Sequence, residues 1–384
     1  MTQQPTNPYG ESTPQQGWAP PAPNAWGRPF ADPHAAHPGG PPPGRHGYSP
    51  PPKPGVVPLR PLGLGDMLDG AFRSVRRNAG ATLGPSVLLQ LLCGVFIAAL
   101  GAPLFSVMMA PEALAGAAPD DAALVGPLIL FVVGILAAGI LSGAFLVFIQ
   151  GMVTVPVLRA TLNLRTPLGR ALALARPALG RLVVLGLLWA AAGLVATALF
   201  VGVVVLAVAV GDAAIGIPIV VLVLLGLLAT GIWITVRLSL SAHALVIENL
   251  GVFASMGRSW NLVRSSWWRC LGILLLTGLI VSIATSLITT PVSFATGLTG
   301  GIVSPEDPGA LSALVGNLTV VMTLLGAVAA GLGFAYQCAV SSLLYTDLRI
   351  RGEGFDLALL DEFESGTDHG LPGGGAAAAG PGAR

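Results

Sequence analysis

Charged residues are scarce in this sequence, and their scarcity excludes an ordinary soluble domain. Asp, Glu, Lys and Arg make up 10% of the 384 residues, whereas hydrophobic residues make up 53%. Soluble globular domains carry about 25% charged residues, so most of this chain must contact something other than water. Lysine is almost absent, since Lys53 is the single lysine beside 18 arginines. With a net charge of +1 and no basic cluster, the chain lacks the surface that a nucleic-acid partner requires.

Cysteine and histidine are too few for a disulfide framework or a metal site. The three cysteines, Cys93, Cys270 and Cys338, are odd in number and have no C-x-x-C spacing. Four of the five histidines lie near the chain ends, and His243 lies five residues before Glu248. A His–Glu pair lacks the third protein ligand of a catalytic zinc site. We therefore predict no cofactor and no enzymatic activity; action of His243 and Glu248 on a lipid is the alternative.

The two ends of the chain have the composition of disordered tails. Residues 1–57 hold 16 of the 32 prolines, and residues 361–384 are rich in Gly and Ala. Such segments bury too little apolar surface to offset the entropy lost on folding. We predict disordered cytoplasmic tails there, flanking a six-span membrane domain at 58–360. The triple prolines at 41–43 and 50–52 offer polyproline ligands to a protein partner, although a plain flexible tail explains the same composition.

Long apolar stretches fill the region between these tails. Six stretches contain no Asp, Glu, Lys or Arg: 78–111, 122–158, 182–211, 213–236, 270–305 and 308–346. Each exceeds the roughly 20 residues that a helix needs to cross the hydrocarbon core, and none alternates as the strands of a membrane barrel do. The sequence therefore predicts an all-α polytopic membrane bundle. Its predicted helix cores are 84–109, 124–151, 182–210, 214–238, 270–292 and 311–343.

The basic residues predict the orientation of these spans. With six spans, all 19 Lys and Arg residues fall in segments on one side of the membrane. The loops on the other side carry acidic residues: Glu112, Asp120, Asp121, Asp212, Glu306 and Asp307. Because cytoplasmic loops are enriched in Lys and Arg, we predict a plasma-membrane protein with both termini in the cytoplasm.

A short amphipathic segment precedes the first, third and fifth spans. The first segment, 66–77, has Asp66 as a helix cap and apolar residues on one face. The basic positions of the second segment recur 88 residues later in the third: Arg170, Arg176 and Arg181 match Arg258, Arg264 and Arg269. The sequence thus predicts three units, each an amphipathic interfacial helix followed by a helical hairpin. Because each unit begins and ends on the same side, the units are expected to be parallel repeats.

Arginines of these segments are candidate contacts for lipid headgroups. We expect the following to face anionic headgroups: Arg170, Arg176, Arg258 and Arg264. The apolar side chains of the same segments would then enter the acyl boundary, so membrane lipids are the predicted partners. The cytoplasmic preference of basic residues explains the same charges without a specific site, and both interpretations stay open.

Two stretches beside the spans resemble a known family. They are 59–72, with the sequence LRPLGLGDMLDGAF, and 345–357, with the sequence YTDLRIRGEGFDL. Together they resemble actinobacterial membrane proteins related to the glycerophosphoryl diester phosphodiesterase membrane domain family. The catalytic barrel of that family needs about 250 residues, whereas 41 residues follow the predicted core of the last span. The resemblance therefore implies a membrane domain over 58–360 without phosphodiesterase activity.

The interior of the spans favours a non-catalytic role. The spans hold no ionisable residue at mid-membrane depth, which ion-coupled transporters usually need. The polar residues of the spans are Gln90, Gln150, Asn317 and Gln337, and we expect Asn317 and Gln337 to hydrogen-bond between helices. Small residues four apart, which suit close helix contacts, are Gly139 with Gly143, Ala327 with Gly331 and Ala329 with Gly333. We predict a scaffold or accessory protein for a partner or an envelope lipid; the alternative is a transporter or lipid-translocating permease, which needs a polar cavity between the hairpins.

Overall fold

The computed structural model describes residues 55–108, 122–210, 213–302, 308–366, 368 and 370–372. Within these ranges the regular structure is helical and no strand occurs. Most of the predicted N-terminal tail, including its triple prolines, lies outside the described residues. The same is true of most of the acidic loops and of the end of the C-terminal tail. The predictions made for those segments stay predictions.

Helices account for nearly all of the described chain. In chain order they are α1 Leu64–Arg77, α2 Ala79–Met108, α3 Ala122–Thr161, α4 Leu168–Val210, α5 Ala213–Leu238, α6 Ser241–Ile247, α7 Val252–Arg264, α8 Trp267–Ile302, α9 Pro308–Glu353 and α10 Phe355–Ser365. Six of them, α2, α3, α4, α5, α8 and α9, are long and apolar enough to cross a membrane. The predicted all-α bundle with six spans is confirmed. The arginines of the described residues lie at one end of these six helices or in segments joined to it, which we call the arginine-rich end.

The three amphipathic segments differ in how they join the spans. α1 and α7 are separate short helices, and α1 ends at Asn78. The second segment is instead the first part of α4, which runs on into the span without a break. Pro177 removes one backbone hydrogen bond inside α4, but Ala175 and Ala178 beside it are buried and hold the helix in place. The second unit therefore differs from the prediction of a separate interfacial helix.

The hydrophobic core lies at the arginine-rich end of the bundle. α3 and α9 form its centre, packed on each other and on α1, α2 and α6. The largest apolar side chains that are fully buried there include Leu158, Leu240, Leu245, Leu343 and Leu344. Farther along the spans, α4 and α5 expose large apolar side chains, such as Leu206 at 67% and Leu222 at 72%. Such faces suit contact with lipid rather than with water.

Glycines bring three pairs of spans close together. A Cβ atom on Gly331 of α9 would lie 2.6 Å from the Cα of Val87 in α2, and one on Gly186 of α4 would lie 2.6 Å from the backbone of α3. Gly333 of α9 likewise meets a side chain of α8. Small residues at these crossings allow the helices to approach closely. The small-residue prediction holds for Gly331 and Gly333, whereas Gly139 has no described neighbour within 4 Å of its Cβ position.

The packed region extends past both predicted domain boundaries, 58 and 360. Val56 and Val57 are buried, and the backbone N–H of Val56 donates to the carbonyl of Ala160 at 3.2 Å. At the other end, α10 continues to Ser365, and Asp368 contacts the core. Val56, Val57 and Asp368 form contacts only one or two residues long. The low-complexity composition around them therefore gives no sequence signal for these contacts.

In each of the first two units, an arginine joins the two ends of the hairpin at the arginine-rich end. It lies where the chain enters the first span of the unit, and its partner lies where the chain leaves the second span. In the first unit, Arg77 donates to the side-chain and backbone oxygens of Asn163, at 2.5 and 2.6 Å. In the second unit, Arg181 donates to the same two oxygens of Asn249. Each hairpin is thus fastened by one guanidinium group, a contact that we call the clasp.

The third unit carries an equivalent clasp made by an ion pair. Arg269 at the start of α8 pairs with Asp347 near the end of α9, at 2.9 Å. In the other two clasps, Asn163 and Asn249 have φ angles of 65° and 53°. Asparagine adopts this left-handed conformation more readily than most residues. The matching clasps support the predicted threefold repeat.

Removing one clasp should destabilise the bundle. We expect Arg181→Met to lower the free energy of unfolding by about 1.5–3 kcal/mol, the usual contribution of a hydrogen bond to a charged group. Thermal unfolding of the purified protein in mild detergent measures this change. Arg176→Met is the matched control, because Arg176 is exposed on the same helix and has no partner among the described residues. Equal unfolding midpoints for the two variants would contradict a stabilising clasp.

Candidate functional site at the arginine-rich end

Glu248, which follows α6, is a buried carboxylate that gathers several polar side chains. It is 7% exposed and accepts hydrogen bonds from the Nε of Arg258, at 3.0 Å to both oxygens, and from the hydroxyl of Tyr345. Arg349 lies 3.6 Å from Glu248. Glu353 pairs with Arg349 at 3.1 Å and with Arg258 at 2.5 Å. Two carboxylates and two guanidinium groups thus neutralise one another.

Asp347 is a second buried carboxylate, and it joins the two ends of the packed region. Its side chain is fully buried and accepts from the backbone N–H of Leu62 at 2.7 Å and from the Nε of Arg351 at 2.9 Å. It also pairs with Arg269, and both arginines donate to the carbonyl of Leu62. The two stretches that carry the family resemblance therefore meet at this carboxylate.

Arg159, in the last turn of α3, is a buried cation that the C-terminal segment neutralises. Its side chain is 1% exposed and donates through two nitrogens to the two carboxylate oxygens of Asp368, both at 2.7 Å. The Nε of Arg159 donates to Thr166 at 3.0 Å, and the carbonyl of Gly370 accepts a further bond. Arg170 pairs with the same Asp368 at 2.6 Å. The carboxylate of Asp368 thus forms ion pairs with two arginines.

These ion pairs shift the pKa of two groups outside the spans. The hydrogen bond from Arg159, aided by nearby charges and opposed by desolvation, holds the pKa of Asp368 well below its usual range. Because the folded pKa lies below the unfolded one, the stabilising effect of Asp368 is full above about pH 3.9 and is lost as the pH falls through the folded value. Burial would lower the pKa of Arg258, but Glu248 and Glu353 raise it above its ordinary value.

The four predicted headgroup contacts divide into two paired and two open arginines. Arg170 and Arg258 are held by carboxylates of the protein itself. Arg176 and Arg264 are exposed, and neither has an ion-pair partner in the part of the chain that the structure describes. Headgroup contact stays a prediction for all four, and the open pair has more unneutralised charge to offer.

The alternative catalytic pair, His243 and Glu248, does not form a hydrogen-bonded dyad. His243 in α6 is fully buried and stacks on Tyr345, with 6.3 Å between the ring centroids. Neither ring nitrogen hydrogen-bonds to Glu248. The oxygens of Glu248 accept from Arg258 and Tyr345 instead. Glu248 is therefore held by Arg258 and Tyr345 rather than by His243.

A large crevice opens between the second and third hairpins. It has a volume of about 1110 Å³ and lies among α4, α5, α8 and α9, with α3 behind it. Its walls are mainly apolar and include Phe200, Leu224, Ile232, Leu274, Leu279 and Phe334. Leu228 of α5 and Leu275 of α8 line the crevice and are 52% and 61% exposed. The crevice therefore opens sideways between these two helices.

Most polar groups of the crevice lie toward its end nearest the arginines, whereas Thr197 and Ser282 lie farther along the spans. Gln150 donates to the carbonyl of Ser239 at 3.2 Å, and Ser341 donates to the carbonyl of Gln337 at 2.9 Å. All four residues line the crevice. Gln150 thus bonds to the segment that follows α5, whereas the side-chain amide of Gln337, which we expected to bond between helices, has no partner among the described residues. An apolar body with a polar end suits an amphiphilic ligand.

One family matches most of the chain. It is described as a domain of unknown function (DUF7847) and covers residues 62–348, or 287 of the 384 residues. The chain belongs to this family. No curated protein and no solved structure matches the chain. The DUF7847 region begins at Leu62 and ends one residue after Asp347, so the hydrogen bond between these two residues joins its ends.

Several polar groups of the site were not predicted from the sequence. The crevice and Glu248 lie within the DUF7847 region, whereas Asp368 lies beyond it. Arg159 and Asp347 each directly follow a charge-free stretch, so a charge at the end of a span was the available signal. Asp368 lies in a glycine-rich tail and carried no local signal.

Neutralising Glu248 should destabilise the protein far more than neutralising an exposed carboxylate. We expect Glu248→Gln to lower the free energy of unfolding by about 3–5 kcal/mol, because removing one partner of a buried ion pair leaves the other charge uncompensated. Thermal unfolding in mild detergent measures the loss. Glu364→Gln, on the exposed surface of α10, should stay within about 0.5 kcal/mol of the wild type. A Glu248→Gln variant as stable as this control would show that the network does not hold the base together.

Proposed function

We propose that the protein is a non-catalytic accessory or scaffold protein of the plasma membrane that holds an envelope lipid. The observation that carries this proposal is the crevice between the second and third hairpins. It is open at the side and mainly apolar along its walls, and most of its polar groups lie toward one end. A membrane lipid has the same division into an apolar tail and a polar head, so it complements the crevice better than a polar solute does.

The dimensions of the crevice support a lipid tail as its occupant. Its volume of about 1110 Å³ exceeds the roughly 300–1,000 Å³ of small-molecule pockets. Along α5 its lining extends from Leu224 to Leu238, which corresponds to about 21 Å at the helical rise per residue. The hydrocarbon core is about 30 Å thick. The described lining along α5 is therefore longer than half of the core thickness and shorter than the whole.

A lipid-translocating permease is the alternative function, favoured by the side opening of the crevice. Translocation additionally needs a path that reaches the opposite leaflet. A transporter of polar solutes has less support, because most of the crevice wall is apolar. Purified protein in lipid vesicles separates the two functions. Transfer of a fluorescent phospholipid between the leaflets would favour the permease, and unchanged leaflet asymmetry would favour a protein that holds its lipid.

The geometry around His243 supports a non-catalytic role. Its ring nitrogens do not hydrogen-bond to Glu248, which is engaged by Arg258 and Tyr345.

From the resemblance of the sequence, we also propose a relationship to the membrane part of the glycerophosphoryl diester phosphodiesterase family. The proline-rich N-terminal tail is the proposed contact for a protein partner.

We propose that the arginine-rich end and both termini face the cytoplasm, because basic residues concentrate on that side of membranes. Cysteine labelling of intact cells tests this in a chain whose three native cysteines are replaced by alanine. Ala214→Cys, at the opposite end of α5, should react with a membrane-impermeant maleimide. Ser265→Cys, between α7 and α8, should react only after lysis. The reverse pattern would invert the proposed topology.

Filling the crevice should displace the bound lipid. Gly278 of α8 lines the crevice, and its Cβ position has no described neighbour within 4 Å, so Gly278→Leu places a side chain in the cavity without a clash. A lipid that shares the cavity with the new side chain would be overpacked, which costs about 1–3 kcal/mol. Since about 1.4 kcal/mol corresponds to a tenfold change in affinity, this cost weakens lipid binding. We therefore expect the lipid retained in mild detergent, measured by native mass spectrometry, to fall about fivefold or more.

The matched control for this variant is Gly272→Leu. Gly272 lies on the same helix, is exposed and has an equally free Cβ position, but it does not line the crevice. This control should retain lipid as the wild type does. Equal lipid content in the two variants would exclude the crevice as the binding site. A wild-type protein that purifies without lipid would contradict the proposed function itself.

A further inference from the structure

The contact between Arg159 and Asp368 has the form of an occupied anion site. Arg159 offers two N–H donors, each 2.7 Å from one oxygen of the same carboxylate. Arg170 donates to that carboxylate at 2.6 Å. The planar fork of a guanidinium group binds two oxygens of a phosphate group in the same manner as those of a carboxylate.

The helical bundle supplies the cationic groups of this site. Arg159 is 1% exposed in α3, and Thr166 accepts from its Nε at 3.0 Å. Arg170 lies in the first turn of α4, where the helix N-terminus adds positive potential. Neither position depends on the C-terminal segment for its backbone contacts. The cationic groups therefore remain together when Asp368 leaves.

The Asp368 carboxylate, which occupies this site, lies on a segment that makes few contacts with the core. Asp368 follows α10 on irregular backbone, between Gly366 and Gly370, whose φ angles are 64° and 102°. Glycine adopts this region without strain. Leu371 packs against the core, and Pro372 is buried. Such a segment opens at lower free energy than the spans do, and opening leaves a buried guanidinium group that attracts another anion.

We propose that Arg159, Arg170 and Thr166 form a phosphate-binding site in which the Asp368 carboxylate acts as an intramolecular competitor. The ligand is a phosphate group, carried by a lipid headgroup or free in solution. Its binding releases Asp368 and residues 370–372 from the core, so release of this segment is a measure of ligand binding. The site lies apart from the crevice lining, and the proposal holds whatever the crevice contains.

The test compares the full-length wild type with Asp368→Asn, which keeps the shape of the side chain but removes its charge. Thermal unfolding is measured in mild detergent with sodium phosphate or with sodium chloride of equal ionic strength. It is also measured in mixed micelles that contain phosphatidylglycerol or dioleoylglycerol. We expect the phosphate group to raise the unfolding midpoint of Asp368→Asn by at least about 2 °C. The wild type should gain less, because it carries the competitor.

The two ligand arms identify the source of the phosphate group. A rise with sodium phosphate assigns the site to free phosphate, and a rise confined to phosphatidylglycerol assigns it to lipid headgroups. Adding Arg159→Met to Asp368→Asn should abolish the rise, whereas adding Arg76→Met should preserve it, because Arg76 is exposed on α1 and apart from the Asp368 contact. The proposal is overturned by no rise with either ligand, or by a rise that survives Arg159→Met.

Release of the tail gives a second readout that keeps Asp368 intact. Pro372 is buried, so Pro372→Cys in a full-length chain without other cysteines should react slowly with a maleimide. The phosphate ligand should accelerate this reaction severalfold. If Asp368→Asn fails to fold, this rate decides the question. An unchanged rate with both sodium phosphate and phosphatidylglycerol would refute the competition.

Discussion

Arginines that enter the apolar core must be paired there, and the base of the protein depends on this constraint. An ion removed from water loses several kcal/mol of solvation, which a close partner has to offset. Arg159 is held from the C-terminal segment, and Arg269 is held both from the end of α9 and from the carbonyl of Leu62. Because these partners are distant in sequence, each neutralised charge also fastens one part of the chain to another.

The same constraint explains why the bundle is tight at one end and open along its spans. The buried side chains concentrate where the clasps close the three hairpins. Farther into the spans there is no charge to pair, and the outward faces remain apolar. α5 packs on α4 and makes few contacts with α8, so the second and third hairpins meet only partly. The crevice occupies the space between them.

The spans and their polarity could be predicted from the sequence, because both depend on properties that are local in the chain. A stretch without charges has the length of a spanning helix whatever its neighbours are, and arginines mark one end of each stretch. The partners of those arginines depend on tertiary contacts instead. Asn163 and Asn249 look like ordinary turn residues, and only their meeting with Arg77 and Arg181 reveals the clasp. Asp368 contacts Arg159 across 209 positions, and no local pattern encodes such a pair.

α3 contributes to both proposed binding sites, yet the two sites are expected to act independently. Gln150 lines the crevice, and Arg159 lies nine residues later, about 14 Å along the helix axis. Coupling would require the junction of α3 and α4 to change its arrangement when the tail leaves. The bond from Arg159 to Thr166 does not involve the tail and keeps that junction in place, and the bond from Gln150 to Ser239 holds α3 beside the end of α5. Exchange of Asp368 for a phosphate group therefore changes the charge and the tail at the arginine-rich end, while the crevice retains its shape.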